Sequence, residues 1–479
     1  MTMKIHLIGI CGTAMATLAA LLKQRGLDVQ GSDQGVYPPM SEFLASEGIR
    51  AFDGYDASHI TSDLSLVVVG NAVSRGNPEL EAVLSRKIRY CSLPEAIREH
   101  FLWGARSIVI AGTHGKTTTT SLTGWVLTSA GKDPTVLVGG IARNFGDDGS
   151  SYRVGGGRDF VIEGDEYDSA FFDRTAKFLK YLPDIAVVNN VEFDHADIYP
   201  NLEAVLQAFD RLVLLVPRNG MLLLGHDSEH ARRLKARAVS PVETFGFSED
   251  ADWVAYELTA TDGVQRFSVR RGRNYFGAFT LPLLGEHNVL NALAAIAVGA
   301  TVGLDQTTIA RGLRTFLGVK RRLEVVGEAG GVTVYDDFAH HPTAVAETLR
   351  AVRQAYPGRR VWAVFEPRSA SSCRKIFQHD FARAFSHASA DETLIATVFR
   401  STLPDAERLS VEELVDEICR AGRKARHVGS ADHIIDTIIA ERRPGDVVVI
   451  MSNGGFDNIH RRLLARLRES GQPQTEGAA

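Results

Sequence analysis

Short apolar runs alternate with helix-like stretches along most of the chain. Residues 4–9 form the first run, Gly9 and Gly12 make a turn, and 13–25 read as a helix. Strands follow at 27–31 and 64–70. In the latter, Leu66, Val67, Val68 and Val69 stand side by side without alternation, as in a parallel strand covered on both faces. The same rhythm restarts at Arg106: strand 107–111, loop 112–116, helix 117–130, then strands 160–163 and 185–189. Residues 146–157, rich in glycine, read as a surface connection. Between Trp253 and Leu283 the pattern changes to short alternating runs, which predict antiparallel hairpins. An alanine-rich helix is expected over 288–300. From about Phe316, strands at 332–336, 360–365, 393–397 and 447–451 are separated by helical stretches. Three α/β units result, the second enlarged by hairpins, with boundaries expected at 1–104, 105–315 and 316–468 and a polar flexible tail over 469–479.

The 479 residues agree with roughly three domains at ~150 residues each. Lys plus Arg total 53 and Asp plus Glu 58, a net charge of −5, so the chain lacks the basic field of a nucleic-acid-coating protein. The four cysteines, Cys11, Cys91, Cys373 and Cys419, have no metal-ligand spacing and suit a reducing compartment. The opening MTMKIHLIGI reads as a strand rather than a signal peptide. The longest apolar stretch, near 289–304, contains Asn291 and is too short for a membrane span. A cytoplasmic location is the expectation.

The strongest chemical signal is Gly112-Thr113-His114-Gly115-Lys116-Thr117-Thr118, placed between a buried strand and a helix. Glycines let backbone N–H groups wrap a phosphate, and the helix N-terminus adds positive potential. Lys116 can reach the terminal phosphates and Thr117 can hold Mg²⁺. The loop is shorter than the common GxxxxGK[ST] form. Glu163 closes the next strand at the sheet edge where ligands bind, and its hard oxygens suit Mg²⁺. Asp165, Glu166 and Asp168 add local negative charge. Asp194 and His195, after the strand 185–189, are candidates to orient a metal or phosphate.

Weaker signals complete the set. Gly9, Cys11, Gly12 and Thr13 suggest a second phosphate loop, with Asp33 at the next strand end either a ribose ligand or a cap for the segment that follows. His287, Asn288 and Asn291 start a helix; asparagine reads base edges but is also an ordinary helix starter. Arg322, within a Lys-Arg-Arg run, and Asp337 and His340, in a strand-end segment, are nucleotide candidates from the third unit. Arg368 is suited to pairing with a carboxylate, and Asn453 and Gly454 open a further strand-end loop.

Together these motifs resemble the Mur ligase family: GTHGKTTT, Glu163, NNVEFDH, EHNVLNALAA, the arginine pair ending at Arg322, and YDDFAHHP follow one another in family order over roughly residues 4–465. The resemblance implies three domains: an N-terminal Rossmann-like domain for a UDP-linked substrate, a central P-loop ATPase domain, and a C-terminal Rossmann-like ligase domain. It also implies ATP and Mg²⁺. Lys116, Glu163 and His195 would be catalytic; Thr117, Glu163 and His195 would serve the metal. Residues 112–118, His287, Asn288, Asn291, Arg322, Asp337 and His340 would hold ATP. Gly9, Cys11, Gly12, Thr13, Asp33, Arg368, Asn453 and Gly454 would face the other substrates.

Within the family, GICGT at 9–13, GSD at 31–33 followed by YPPM at 37–40, AVFEPRS at 363–369 and MSNGGF at 451–456 favour one branch. It attaches L-Ala-γ-D-Glu-meso-diaminopimelate to UDP-N-acetylmuramate, in peptidoglycan recycling. The branch that adds L-alanine alone is the alternative, and a non-catalytic nucleotide-binding regulator a distant one. Several family members carry a carbamylated lysine beyond the Asp-His pair. Here no lysine occurs between Tyr181 and Leu234, so no such group is assigned.

Overall fold

The computed structural model describes residues 2–37, 40–261, 263–387, 390–399 and 402–470. Pro38 and Pro39 of the YPPM stretch, and the expected tail from 471 onward, lie outside them. The chain divides into two compact units. The first holds Met1–Glu192, Glu203–Val254 and Ala294–Gly312; the second holds Phe193–Leu202, Ala255–Leu293 and Leu313–Ala479.

The first unit contains two sheets. In one, five parallel strands lie in the order Arg50–Asp53, Asp28–Asp33, Lys4–Ile8, Leu66–Val69, Tyr90–Ser92. Ile5, Leu7, Ile8 and Val67 to Val69 are fully buried, which is why these stretches show no alternation of apolar and polar residues. Helix Thr13–Gln24 follows the first strand directly, with Gly12 as its N-cap. The second strand runs through Ser32 to Asp33, so Asp33 sits at the strand's end, as expected, beside the first loop.

The second sheet carries parallel strands Val242–Gly246, Met221–Gly225, Ile185–Val188, Arg106–Ala111, Asp159–Glu163 and Thr135–Ala142, in that spatial order. Ser150–Arg153 adds an antiparallel edge, so the expected connection at 146–157 contains a strand. Its backbone pairs with Thr135–Ala142 although its side chains carry no apolar run. Three neighbouring strands end level with one another: Val188 pairs with Ala111, and Ile110 with Glu163. The segments after them therefore meet at one edge.

The second unit contains the hairpin Val264–Arg271 with Asn274–Leu281, where Phe267 faces Phe279, as the alternating pattern predicts. Its main sheet runs Glu324–Ala329, Val332–Asp337, Val447–Met451, Val361–Phe365, Glu392–Ile395, Ala425–His427. All pairs are parallel except the first. One face packs around Ala363, Phe365, Phe381 and Phe385, and the other around Trp362, Val364, Ile434 and Leu463. The strand-end segments 338–341, 366–372 and 452–455 gather at one edge. Phe193 and Ala196 pack against the first of these faces, and Phe193 stacks on Phe377 with ring centroids 5.8 Å apart.

Among the described residues, no helix is long and apolar enough to cross a membrane.

Candidate functional site

Loop 112–116 is held from outside by the segment after the neighbouring strand. Gly112 has φ +129°, and a Cβ there would lie 3.0 Å from the backbone nitrogen of Asn189, so only glycine lets the two segments touch. The N–H of Thr113 donates to the Asn190 carbonyl (3.0 Å), and that of His114 to Asn190 Oδ1 (2.7 Å). Asn189 Nδ2 reaches Thr119 Oγ1, and Glu192 N reaches Thr113 Oγ1. His114 Nε2 stands 3.1 Å from Glu192 Oε2. Gly115, left-handed at φ 81°, caps helix Lys116–Ser129.

Lys116 Nζ donates to the carbonyls of Gly112 (2.7 Å) and Thr113 (3.2 Å) and to Glu166 Oε1 (3.0 Å). Burial opposes its charge, but Glu166, Asp165 and Glu163 together hold its pKa above the usual value. Thr117 Oγ1 donates to Glu163 Oε1 (3.0 Å), and the N–H of Gly139 donates to Glu163 Oε2 (2.7 Å). Lys116, Thr117 and Glu163, predicted as one constellation, are thus together at one sheet edge. The paired oxygens of Thr117 and Glu163 are a hard donor set that fits a magnesium ion.

Glu166 is the residue sequence reasoning left out of this site. It is only 2% exposed and faces the lysine. Asp165, its neighbour, pairs instead with Lys177 at 2.7 Å. Asn190, which fixes the loop twice, was also missed; its place in the NNVEFDH motif was the available signal.

In the same unit, the N–H groups of Gly9 and Ile10 donate to the Ser32 carbonyl. The N–H of Cys11 donates to Asp33 Oδ2 (2.8 Å) and that of Gln34 to Asp33 Oδ1 (2.7 Å). Asp33 therefore fixes the shape of the loop Gly9–Gly12, which opens into Thr13.

His195 lies in the second unit, at φ +53°. Its N–H points to Asp194 Oδ1 (2.7 Å) and Ser371 Oγ (3.1 Å). Although burial works against the charged form, His195, His341, His340 and the Ser371 hydroxyl hold the Asp194 carboxyl well below the usual carboxylate range. His341 Nε2 lies 3.2 Å from the Phe193 carbonyl, and His340 Nδ1 lies 2.9 Å from the Phe338 carbonyl. The Asp337 carboxylate accepts from Leu323 N, Ala339 N and Thr348 Oγ1. Burial raises its pKa, with Arg322 pulling the other way. The Arg322 guanidinium lies 4.7 Å from the Phe338 ring centre.

At the start of the helix Glu286–Thr301, Asn288 Nδ2 donates to the Leu284 carbonyl, and Asn291 Nδ2 to Asn288 Oδ1. His287 Nδ1 is buried without a hydrogen-bond partner. Burial, then Arg350 and Arg322, pushes this imidazole down to about 4.

Arg368 lies over Phe399, 3.7 Å from its ring centre, and 3.8 Å from Glu366. It passes directly across Gly454, and the adjacent Asn453 Oδ1 is buried and unpaired. The two strand-end loops predicted to share one ligand are therefore in contact.

Three family models match in order: Mur ligase family, catalytic domain, over residues 4–102; Mur ligase middle domain over 110–299; and Mur ligase, glutamate ligase domain, over 321–454. The chain is 41% identical to the UDP-N-acetylmuramate–L-alanyl-γ-D-glutamyl-meso-2,6-diaminoheptandioate ligase of Escherichia coli, covering 98% of this chain and 99% of the relative. It is 38% identical to the ligase of the same description from Haemophilus influenzae, over 97% and 99%. The crystal structure of a murein peptide ligase from Psychrobacter arcticus superposes with a TM-score of 0.70 at 36% identity, covering 97% of this chain and 99% of that one.

Proposed function

The chain belongs to the Mur ligase family, and from that premise we propose that it joins L-Ala-γ-D-Glu-meso-diaminopimelate to UDP-N-acetylmuramate at the expense of ATP. The observation that carries the reading to chemistry is the Lys116–Thr117–Glu163 constellation at adjoining strand ends.

A free carboxylate is a poor acyl donor, so it must first be activated. The lactyl carboxylate oxygen attacks the γ-phosphorus of ATP; the bond to the β-phosphate oxygen breaks and ADP leaves. The peptide amine then attacks the acyl carbon, the C–O bond to phosphate breaks, and the amine proton is released. Lys116 places its ammonium against the charge that grows on the transferring phosphoryl group. The N–H groups of Gly115 and Lys116, at the helix start beyond the two that Asn190 takes, orient the phosphate chain. Magnesium, held by Thr117 and Glu163 with help from His195, would neutralise phosphate charge. Asn288, Asn291, Arg322, Asp337 and His340 serve the nucleotide, with Asp337 also shaping the backbone it sits in. Gly9, Cys11, Gly12, Thr13 and Asp33 serve the UDP portion. Arg368, Asn453 and Gly454 take the incoming peptide.

On this reading the chain divides at 1–104, 105–315 and 316–468, and the use of ATP with a nucleotide-linked precursor supports a reaction in the cytoplasm. The test supplies ATP, Mg²⁺ and UDP-N-acetylmuramate with either the tripeptide or L-alanine, and reads ADP together with the mass of the UDP product. A tripeptide adduct supports the reading. An alanine adduct alone would move the protein to the alanine-adding branch, and no product from either would overturn ligation altogether.

A further inference from the structure

Within the second unit, one hydroxyl ties the loop that carries Arg368 to the backbone of His195. Ser371 Oγ donates to Asp194 Oδ1 (2.5 Å) and accepts the N–H of His195 (3.1 Å), which also reaches Asp194 Oδ1 (2.7 Å). The three atoms close a small ring. Asp194 is 5% exposed and Ser371 3%, so water competes poorly for these bonds. The His195 carbonyl is also engaged, accepting from the N–H groups of Ile198 and Tyr199, each at 2.9 Å. This over-determined backbone holds a non-glycine residue in the left-handed region, a conformation that persists only where its surroundings enforce it.

The other end of the connection is equally fixed. Ser372 Oγ accepts from Arg368 N (3.0 Å), Ser369 N (2.8 Å) and the Ser369 hydroxyl (2.8 Å). Arg368 to Ser372 is therefore one hydrogen-bonded turn. Arg368 crosses Gly454 at one end of it, and Ser371 grips His195 at the other.

We propose that Ser371 is a positioning residue: its hydroxyl sets the left-handed backbone that aims His195 and couples that aim to the Arg368 loop. It touches no reacting atom and acts through His195. Because the inference rests on the role assigned to His195 at the nucleotide, it needs one readout that does not depend on turnover.

That readout is amide hydrogen exchange of residues 193–199 in the ligand-free full chain. Ser371→Ala is expected to speed exchange there while leaving the two cores protected. Ser371→Cys, which fills the site with a larger but weakly hydrogen-bonding thiol, keeps the comparison open should the alanine variant fold poorly. Unchanged exchange in whichever variant folds would overturn the proposal.

The second readout is a double-mutant cycle on kcat and on the Mg²⁺ concentration for half-maximal rate. Alone, Ser371→Ala should lower kcat about tenfold and raise the Mg²⁺ requirement; in a His195→Ala background it should add almost nothing, since coupled residues are not additive. Independent, multiplying effects would refute action through His195. An inactive wild type would instead count against the ligase reading, and the exchange measurement would still decide the proposal.

Discussion

The Lys116 ammonium lies 2.9 Å from Glu166 Oε2 and 3.0 Å from Glu166 Oε1, so both oxygens of one carboxylate face the phosphate-loop lysine. The pair is largely buried, and each charge makes the other tolerable there. A nucleotide phosphate must draw the ammonium toward itself in competition with this carboxylate.

Glu166→Gln keeps the shape and removes the charge. The ligand-free protein should lose about 1–3 kcal/mol, because the lysine is left facing an amide in a poorly solvated place. ATP should then stabilise the variant more than it stabilises the wild type, since its phosphates resupply the missing negative charge. Thermal midpoints with and without ATP test this; an equal ATP-induced rise in both proteins would contradict it.

Glu163 is braced from an unexpected side. The N–H of Gly139 holds one oxygen, and a Cβ at Gly139 would stand 2.8 Å from that oxygen and 3.0 Å from the other. Gly139 is exposed, and its backbone is not left-handed, so Gly139→Ala should barely affect folding. It should push the carboxylate aside and raise the Mg²⁺ requirement about tenfold or more, as losses of supporting contacts to a metal ligand do. Rates measured across a magnesium titration decide the matter. A wild-type curve would mean that Glu163 is not the metal ligand.

How far the sequence discloses such relationships depends on the distance along the chain. The loop 112–116 is legible because strand, glycines, lysine and helix are contiguous. Glu163 is legible because it ends an apolar run. Glu166 is not: it shares an acidic stretch with Asp165 and Asp168, and only the structure shows Lys177, just past the hairpin Asp168–Ala170 with Asp173–Ala176, pairing with Asp165 while Glu166 faces Lys116. Ser371 and Asp194 are 177 positions apart, and no local pattern joins them. Asp337 shows the reverse problem. Its place at a strand end suggested a ligand contact, while its carboxylate also accepts from three donors of its own unit. Ser150–Arg153 carries no apolar run, and its pairing with Thr135–Ala142 is made by backbone groups; Thr135–Ala142 itself holds Val136, Leu137 and Val138 in a row and was legible up to Gly139 and Gly140.

His287 supplies a pH dependence with a defined sign. Burial, with Arg350 and Arg322, places its folded value near 4, against 6.5 for the free side chain. As the pH falls below 6.5, the unfolded chain takes the proton first, so stability is complete above that value and declines toward pH 4. The full difference corresponds to roughly 3 kcal/mol at 1.36 kcal/mol per pKa unit. His287→Gln should therefore flatten the dependence of the thermal midpoint on pH between 4 and 6.5. Parallel curves for the variant and the wild type would show that another group controls this window.

Arg368 and Gly454 make the most local prediction about the incoming peptide. A Cβ on Gly454 would fall 2.1 Å from Arg368 Nε and 2.4 Å from its Cζ, so the guanidinium reaches its place over Phe399 only because residue 454 has no side chain. Gly454 is not left-handed, and alanine suits its backbone. Arg368 can swing away in Gly454→Ala, so folding should survive while the arginine is misplaced. If Arg368 pairs with a peptide carboxylate, Gly454→Ala and Arg368→Ala should raise the tripeptide KM by similar factors, about tenfold or more for a lost charge-assisted bond worth 1.5–3 kcal/mol. The KM values for ATP and UDP-N-acetylmuramate should stay near those of the wild type. Arg368→Lys should not rescue binding, because an ammonium cannot lie flat on Phe399 and present two parallel donors. A lysine variant with normal tripeptide KM would show that charge alone is required at this position, and a rise in the ATP KM would move Arg368 to the nucleotide.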